Sequence, residues 1–102
     1  MKLTEKDRII LTQVLPQQAS LADMGTIIEA HKLLSLSEEE KNRIGYSEAG
    51  GTISWVGEHL SETDVPLTHA MITILKGAVS KADSEGSVTG VQYDTFMKIF
   101  NA

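Results

Sequence analysis

The chain of 102 residues contains no cysteine, two prolines and few aromatic side chains. Without cysteine it has no disulfide, no thiol nucleophile and no cysteine-ligated metal, a usage that is typical of cytosolic proteins. No apolar run approaches the about 18 residues that a membrane-spanning helix needs. The first ten residues, MKLTEKDRII, carry acids where a secretory signal would not. We therefore expect a cytoplasmic protein with no membrane partner.

Basic residues are also scarce. Nine Lys and Arg stand against fourteen Asp and Glu, which gives a net charge of −5. Residues 46–102 hold three of the basic residues and seven of the acids. Proteins that grip nucleic acid normally present a basic face, which this composition does not provide. The charge balance favours a protein partner, and a basic one in particular, since complementary charge speeds encounter.

The clearest non-helical stretch is Ile44 to Val56, IGYSEAGGTISWV. A Gly-Gly pair at its centre supplies the positive φ values that a tight hairpin turn needs. That turn places Glu48 opposite Ile53 and Tyr46 opposite Trp55, a favourable aromatic pair across two strands. The sequence therefore predicts a hairpin here, and Tyr46, Glu48 and Trp55 form the candidate interaction surface.

Helical patterns flank the hairpin on both sides and begin at recognisable capping residues. The first predicted helix follows Thr4 and runs from Lys6 to Leu15, and the second follows Ser20 and carries the apolar stripe Leu21, Met24, Ile27, Ile28, His31 and Leu34. A short third helix follows Ser37 and ends at about Arg43, and a fourth follows Thr68 and runs from Ala70 to Ala82. The fifth follows Thr89 and has the apolar face Val91, Tyr93, Phe96, Met97 and Phe100. We expect one domain over residues 1–102 of mainly helical α+β class, with four or five helices packed around one β-hairpin. The stretch from Val65 to Leu67 is a candidate third strand.

Three helices followed by a two-stranded wing resemble the order of a winged-helix protein. This makes a winged-helix-type transcription regulator the first alternative function. The third helix, however, begins with Glu38-Glu39-Glu40, and the wing carries Glu48 and no basic residue. Such a regulator would have to bind DNA through Lys32, Lys41 and Arg43. The acids of the third helix and of the wing would repel the DNA phosphates, which argues against this function.

No nucleophile elbow, phosphate-binding glycine loop or dinucleotide fingerprint is present. The segment KADSEGSVTGVQYDTF resembles a calcium loop around Gly86, but Lys81 and Gln92 stand where carboxylates are required. We expect an inter-helix turn at Asp83 to Gly86 instead. The sequence predicts no catalytic residue, no cofactor and no metal ligand, and hence no enzyme.

The histidines give the second alternative function, a small metal-dependent hydrolase. His59 with Glu58 and Asp64 is the candidate metal site, although these ligands lack a recognised spacing. His31 lies on the apolar stripe of the second helix, so we expect a partly buried, hydrogen-bonded histidine there.

The chain combines LTEKDRIILTQVLP, ASLADMGTIIEAHKLLSLSEEEKNRI, GGTISW and a capped helix that ends in DTFMKIF. In the order and pattern of these pieces it resembles short uncharacterised proteins of phages and prophages. The resemblance implies intracellular action and a protein partner, such as a phage assembly component or a host-directed modulator. The leading hypothesis is thus a small non-enzymatic intracellular protein-interaction module. Homodimerisation through an exposed helix or the open hairpin edge is a further partner hypothesis, because a two-stranded ribbon leaves unpaired backbone groups.

Overall fold

The computed structural model describes residues 1–56 and 60–102. In this part of the chain the mainly helical α+β class is confirmed, with five helices and two small antiparallel sheets. In chain order the elements are β1 (Lys2–Thr4), α1 (Glu5–Val14), α2 (Leu21–Leu34), α3 (Glu38–Ile44), β2 (Ser47–Ala49), β3 (Thr52–Ser54), β4 (Glu62–Asp64), α4 (His69–Glu85) and α5 (Gly90–Phe100).

Short polar signals decide where the helices begin. Before α1, the Thr4 hydroxyl accepts from the Asp7 amide at 3.1 Å, and the Asp7 carboxylate accepts from the Thr4 amide at 3.0 Å. Ser37 and Glu40 make the same reciprocal pair before α3, at 3.1 and 3.0 Å. Each pair satisfies two amides that the first helical turn leaves without a partner. The predicted capping residues Thr4, Ser20, Ser37, Thr68 and Thr89 are all confirmed as N-caps.

The predicted hairpin is present as β2 and β3. Gly50 and Gly51 have φ values of 58° and 80°, a conformation that side chains with a Cβ rarely adopt. The register is also as predicted, with Glu48 opposite Ile53 and the alanine and threonine next to the turn facing each other. All the strand residues except Ile53 have exposed side chains, so the hairpin lies at the edge of the molecule.

A second sheet joins the start of the chain to β4. Strand β1 pairs antiparallel with β4, so that Lys2 lies opposite Asp64 and Thr4 opposite Glu62. The predicted strand over Val65 to Leu67 is wrong, because the strand residues are the three that precede it. Val65 is instead buried and donates its amide to the Met1 carbonyl at 2.8 Å.

The hydrophobic core lies among α1, α2, α4 and α5. Its fully buried members include Leu11, Leu34, Leu75 and Ile99, one from each of these helices. Leu3 of β1 and Val65 also belong to this core. None of the helices in the described ranges is long and apolar enough to cross a bilayer.

Two predicted details of the helices are wrong. On α2 the buried side chains are Ile27, Ala30 and Leu34, whereas Leu21 is 95% exposed and His31 is exposed. An apolar stripe with a period of 3.6 residues does not by itself show which edge of the stripe packs against the core. Helix α4 also continues through Glu85, so the residues predicted as a turn are mostly helical. That helix ends at Gly86, whose φ of 66° is the left-handed conformation usual after a helix.

Candidate functional site

Helix α5 has apolar side chains on two sides. Phe96 and Ile99 are buried in the core, but Tyr93 is 57% and Phe100 64% exposed. The apolar face predicted for this helix, formed by Val91, Tyr93, Phe96, Met97 and Phe100, is therefore buried only at Phe96. An apolar set that the core does not use is a candidate contact surface.

The exposed side of α5 faces α4 across a groove of about 460 Å³. Six apolar residues line it: Val79, Val88, Tyr93, Phe96, Met97 and Phe100. Ser80 and Asp83 are the polar residues of the lining. We call this feature the α4–α5 groove. Its size and apolar lining fit side chains of a bound molecule, and Asp83 is the charged residue of the lining.

The orientation of α5 is explained by a buried carboxylate on α1. Asp7 is 3% exposed and accepts hydrogen bonds from the Thr95 hydroxyl and from Lys98 Nζ, the latter at 2.6 Å. The contact with Asp7 holds the fully buried Thr95 side chain toward α1. This orientation of α5 directs Tyr93 and Phe100 toward the groove. Burial would raise the pKa of Asp7, but the bonds from Lys98, Thr95 and the Thr4 amide outweigh it and lower that pKa.

Two further buried charges on α1 connect distant parts of the chain. Glu5 is fully buried and accepts from the Ser61 amide at 2.8 Å, from the Ser61 hydroxyl at 3.0 Å and from Arg43 of α3. Burial would raise the pKa of Glu5, but the hydrogen bonds, chiefly those from Ser61, and the charge of Arg43 leave it lowered. This carboxylate therefore links α1 to α3 and to the residues just before β4.

Arg8 joins α1 to the α2–α3 connection. Its guanidinium donates to the Leu34 carbonyl at 3.2 Å, to the Ser35 carbonyl at 2.8 Å and to both carboxylate oxygens of Glu40. The hydrogen bond from Arg8, with help from Ser37, outweighs burial and lowers the pKa of Glu40 to about 2. In the described residues every buried side-chain nitrogen and oxygen has a partner. The charged side chains of Glu5, Asp7 and Arg8 therefore link α1 to distant parts of the chain. Sequence patterns did not predict these long-range links.

The sequence-predicted interaction surface lies away from the α4–α5 groove. Glu48 is exposed, and Tyr46 and Trp55 are partly buried just beyond the last paired residues of the hairpin. The Lys41 ammonium lies 5.2 Å from the centre of the Tyr46 ring, a cation–π distance. Tyr46 and Ile53 also line a small cavity of about 180 Å³ against α1 and α2. A contact role for Tyr46, Glu48 and Trp55 stays a prediction.

The winged-helix alternative depends on three basic residues near α3. Lys32 lies 3.4 Å from Glu29, Lys41 lies 3.6 Å from Glu38, and Arg43 contacts the buried Glu5. The basic residues near α3 thus have carboxylate neighbours, which weakens their pull on phosphate.

The metal-dependent alternative depends on Glu58, His59 and Asp64, whereas His31 was predicted to be partly buried. His31 is exposed, contrary to prediction, and its Nδ1 lies 3.3 Å from the Ser35 hydroxyl. Across residues 1–56 and 60–102, no three metal-ligating side chains are arranged to hold an ion. Glu58 and His59 lie outside the described residues, so the site predicted from them with Asp64 remains a prediction.

Comparison with known proteins adds no family. No family model matches the sequence, and no curated protein or solved structure matches it.

Proposed function

We propose that this chain is a small non-enzymatic protein-interaction module and that its contact surface is the α4–α5 groove. The observation that carries the proposal is the exposure of Tyr93, Met97 and Phe100 next to Val88 along one groove. Contiguous exposed apolar side chains are characteristic of interaction sites. Aromatic side chains in particular dominate the binding energy of such sites.

The occupant that this shape fits is an amphipathic helix of a protein partner. A cleft between two helices accepts apolar side chains spaced at i, i+3, i+4 and i+7 of a third helix. Met97 adds a flexible, polarizable wall that adapts to different side chains. The resemblance to short phage-type proteins supports the same class of function, since it also implies a protein partner.

The groove is held by contacts that do not involve the exposed residues. The Asp7 links to Thr95 and Lys98 fix α5 against α1, while Val79 and Phe96 at its floor belong to the core. A site that is already formed costs less ordering on binding. We therefore propose a groove that binds its partner with little change in backbone.

A peptide titration tests this function. The probes are fluorescein-labelled amphipathic helical peptides of about 18 residues, long enough for roughly 27 Å of helix, with one leucine face and different polar faces. We expect at least one of them to bind, as measured by fluorescence anisotropy. Phe100→Ala should weaken that binding about tenfold, the effect of losing a central aromatic contact.

Val91→Ala is the matched control for Phe100→Ala. Val91 is 54% exposed on the same helix but does not line the groove. Its replacement should leave the affinity within about twofold, since residues outside a contact contribute little. The proposal is wrong if no peptide of the set binds, or if both variants bind as the unmodified protein does.

A further inference from the structure

We infer that the partner helix of the α4–α5 groove is cationic, with lysine or arginine placed against Asp83 and Asp94. This inference rests on the proposed function of the groove and adds the chemistry of what enters it. The structural basis is a groove lining whose described residues include one carboxylate, that of Asp83, and no basic residue.

One acid lines the groove, and a second lies next to a lining residue along α5. Asp83 is in the last turn of α4 and belongs to the lining. Asp94 is in the second turn of α5 and is not part of the lining, but it directly follows the lining residue Tyr93. Because residues 86–89 connect the two helices directly, the end of α4 and the beginning of α5 are neighbours. Asp94 also lies three residues before Met97, on the same side of α5. Both carboxylates are exposed, and neither takes part in an ion pair among the described residues.

The lysines of this half of the chain are placed elsewhere. Lys98 binds Asp7 at 2.6 Å and also lies 3.7 Å from Glu62. Lys76 donates to the Ala102 carbonyl, at the opposite end of the groove. Lys81 lines a separate depression on another side of α4, together with Glu85. A cation from a partner therefore meets the Asp83 carboxylate, and the described residues of the groove lining include no lysine or arginine that would compete with it.

Charge also distinguishes this occupant from a second copy or a membrane. Two copies joined groove to groove would bring together two chains that each carry a net charge of −5. An anionic lipid surface would meet Asp83 and Asp94 with the same repulsion. A basic amphipathic helix offers apolar side chains to the lining and a cation to Asp83 at once.

The test uses three labelled peptides with identical leucine faces and with lysine, glutamine or glutamate at the polar positions. We expect the lysine peptide to bind at least about tenfold more tightly than the glutamine peptide at about 20 mM salt, and to lose most of that advantage at about 200 mM salt, because salt screens exposed charges. The glutamate peptide should bind most weakly.

Asp83→Asn, Asp94→Asn and the double variant identify the acids that act. We expect each single variant to weaken the lysine peptide about threefold and the double variant about tenfold, with no change for the glutamine peptide. Glu85→Gln is the matched control, because it removes the same charge from an exposed acid of α4 that lines a different depression together with Lys81. Its affinity for the lysine peptide should stay within about twofold of the unmodified protein.

The outcomes separate the two proposals. Equal binding of the lysine and glutamine peptides overturns the cationic partner and leaves the groove function standing. Binding that Asp83→Asn and Glu85→Gln weaken equally also overturns it, since general charge would then explain the effect. If the protein forms a dimer that Phe100→Ala dissociates, the occupant of the groove is a second copy of the chain. If the protein binds phosphatidylserine vesicles and Phe100→Ala prevents this binding, the occupant is a membrane. If no peptide binds, the groove function itself is wrong.

Discussion

Replacement of Glu40 by glutamine removes one charge from the link between α1 and α3 while nearly keeping the shape of the side chain. In the structure both oxygens of Glu40 accept from the Arg8 guanidinium, and one of them also accepts from the Ser37 amide at 3.0 Å. The Arg8 side chain is 8% exposed and that of Glu40 is 22% exposed. The variant therefore leaves a largely buried guanidinium without its carboxylate, although the oxygen of the new side-chain amide can still accept one hydrogen bond.

The size of the effect follows from the pKa of Glu40. Arg8 and Ser37 hold that pKa at about 2, against an ordinary value of 4.5. At 1.36 kcal/mol per unit, the ionised carboxylate stabilises the folded state by roughly 3 kcal/mol near neutral pH. Because the folded-state pKa is the lower one, this stabilisation is complete above the unfolded pKa and is lost as pH falls toward the folded pKa. About 2 kcal/mol of it should be gone by about pH 3.

Urea unfolding of the unmodified protein and of Glu40→Gln, followed by circular dichroism, measures the difference. We expect the free energy of unfolding of the variant to be roughly 2–3 kcal/mol lower than that of the unmodified protein at about pH 7. This difference should narrow steadily between about pH 4.5 and about pH 3. This is a large part of the about 5–15 kcal/mol typical of a domain.

Glu39→Gln is the control, since Glu39 is an exposed acid in the same first turn of α3. It should cost less than about 0.5 kcal/mol at any pH. A gap for Glu40→Gln that is below about 0.5 kcal/mol, or that does not change with pH, would refute the reasoning.

The other stability predictions use urea unfolding at neutral pH. Gly45→Ala should destabilise by about 1 kcal/mol or more, because Gly45 has a φ of 65° and its new Cβ would lie 3.0 Å from a valine methyl. Gly25 lies in α2, and a Cβ added to it would have no neighbouring atom within 4 Å. Gly25→Ala should therefore stabilise the fold by about 0.5–1 kcal/mol. A change of the same sign in both glycine variants would contradict this account. Thr95→Val should cost about 1–3 kcal/mol by removing a hydroxyl donor of the buried Asp7. Thr73→Val, at an exposed threonine of α4, is its control and should cost less than about 0.5 kcal/mol; similar losses in both would show that the Asp7 contact contributes little.

Features that depend on neighbours along the chain were predictable from the sequence. The N-caps at Thr4 and Ser37 depend on residues three positions apart, and the Gly50-Gly51 turn depends on two adjacent residues. Each of these is present in the structure. Local hydrogen bonds and φ preferences act over such distances whatever the rest of the fold does.

Features that depend on distant partners were not predictable. Strand β1 has three residues and pairs with β4 about sixty positions away, so it shows no alternation long enough to recognise. Glu5 of α1 is an acid in a first helical turn, which normally indicates solvent, yet Ser61 and Arg43 make its burial favourable.

The candidate site was missed for the same reason. Sequence periodicity shows that Tyr93, Phe96, Met97 and Phe100 lie along α5 but does not show which of them faces the core. The Thr95 contact with Asp7 decides this, and it joins residues 88 positions apart. A signal was present in retrospect, because α5 carries more large apolar residues than one buried face requires.

The most direct test of the central claim is a chemical-shift titration of ¹⁵N-labelled protein with the lysine peptide. We expect the largest changes in the amide signals of residues 79–83 and 93–100, with little change in residues 46–55 of the hairpin. That result would place the partner in the α4–α5 groove. Changes concentrated around Tyr46, Glu48 and Trp55, with the groove signals unmoved, would contradict the account and make the hairpin the contact surface.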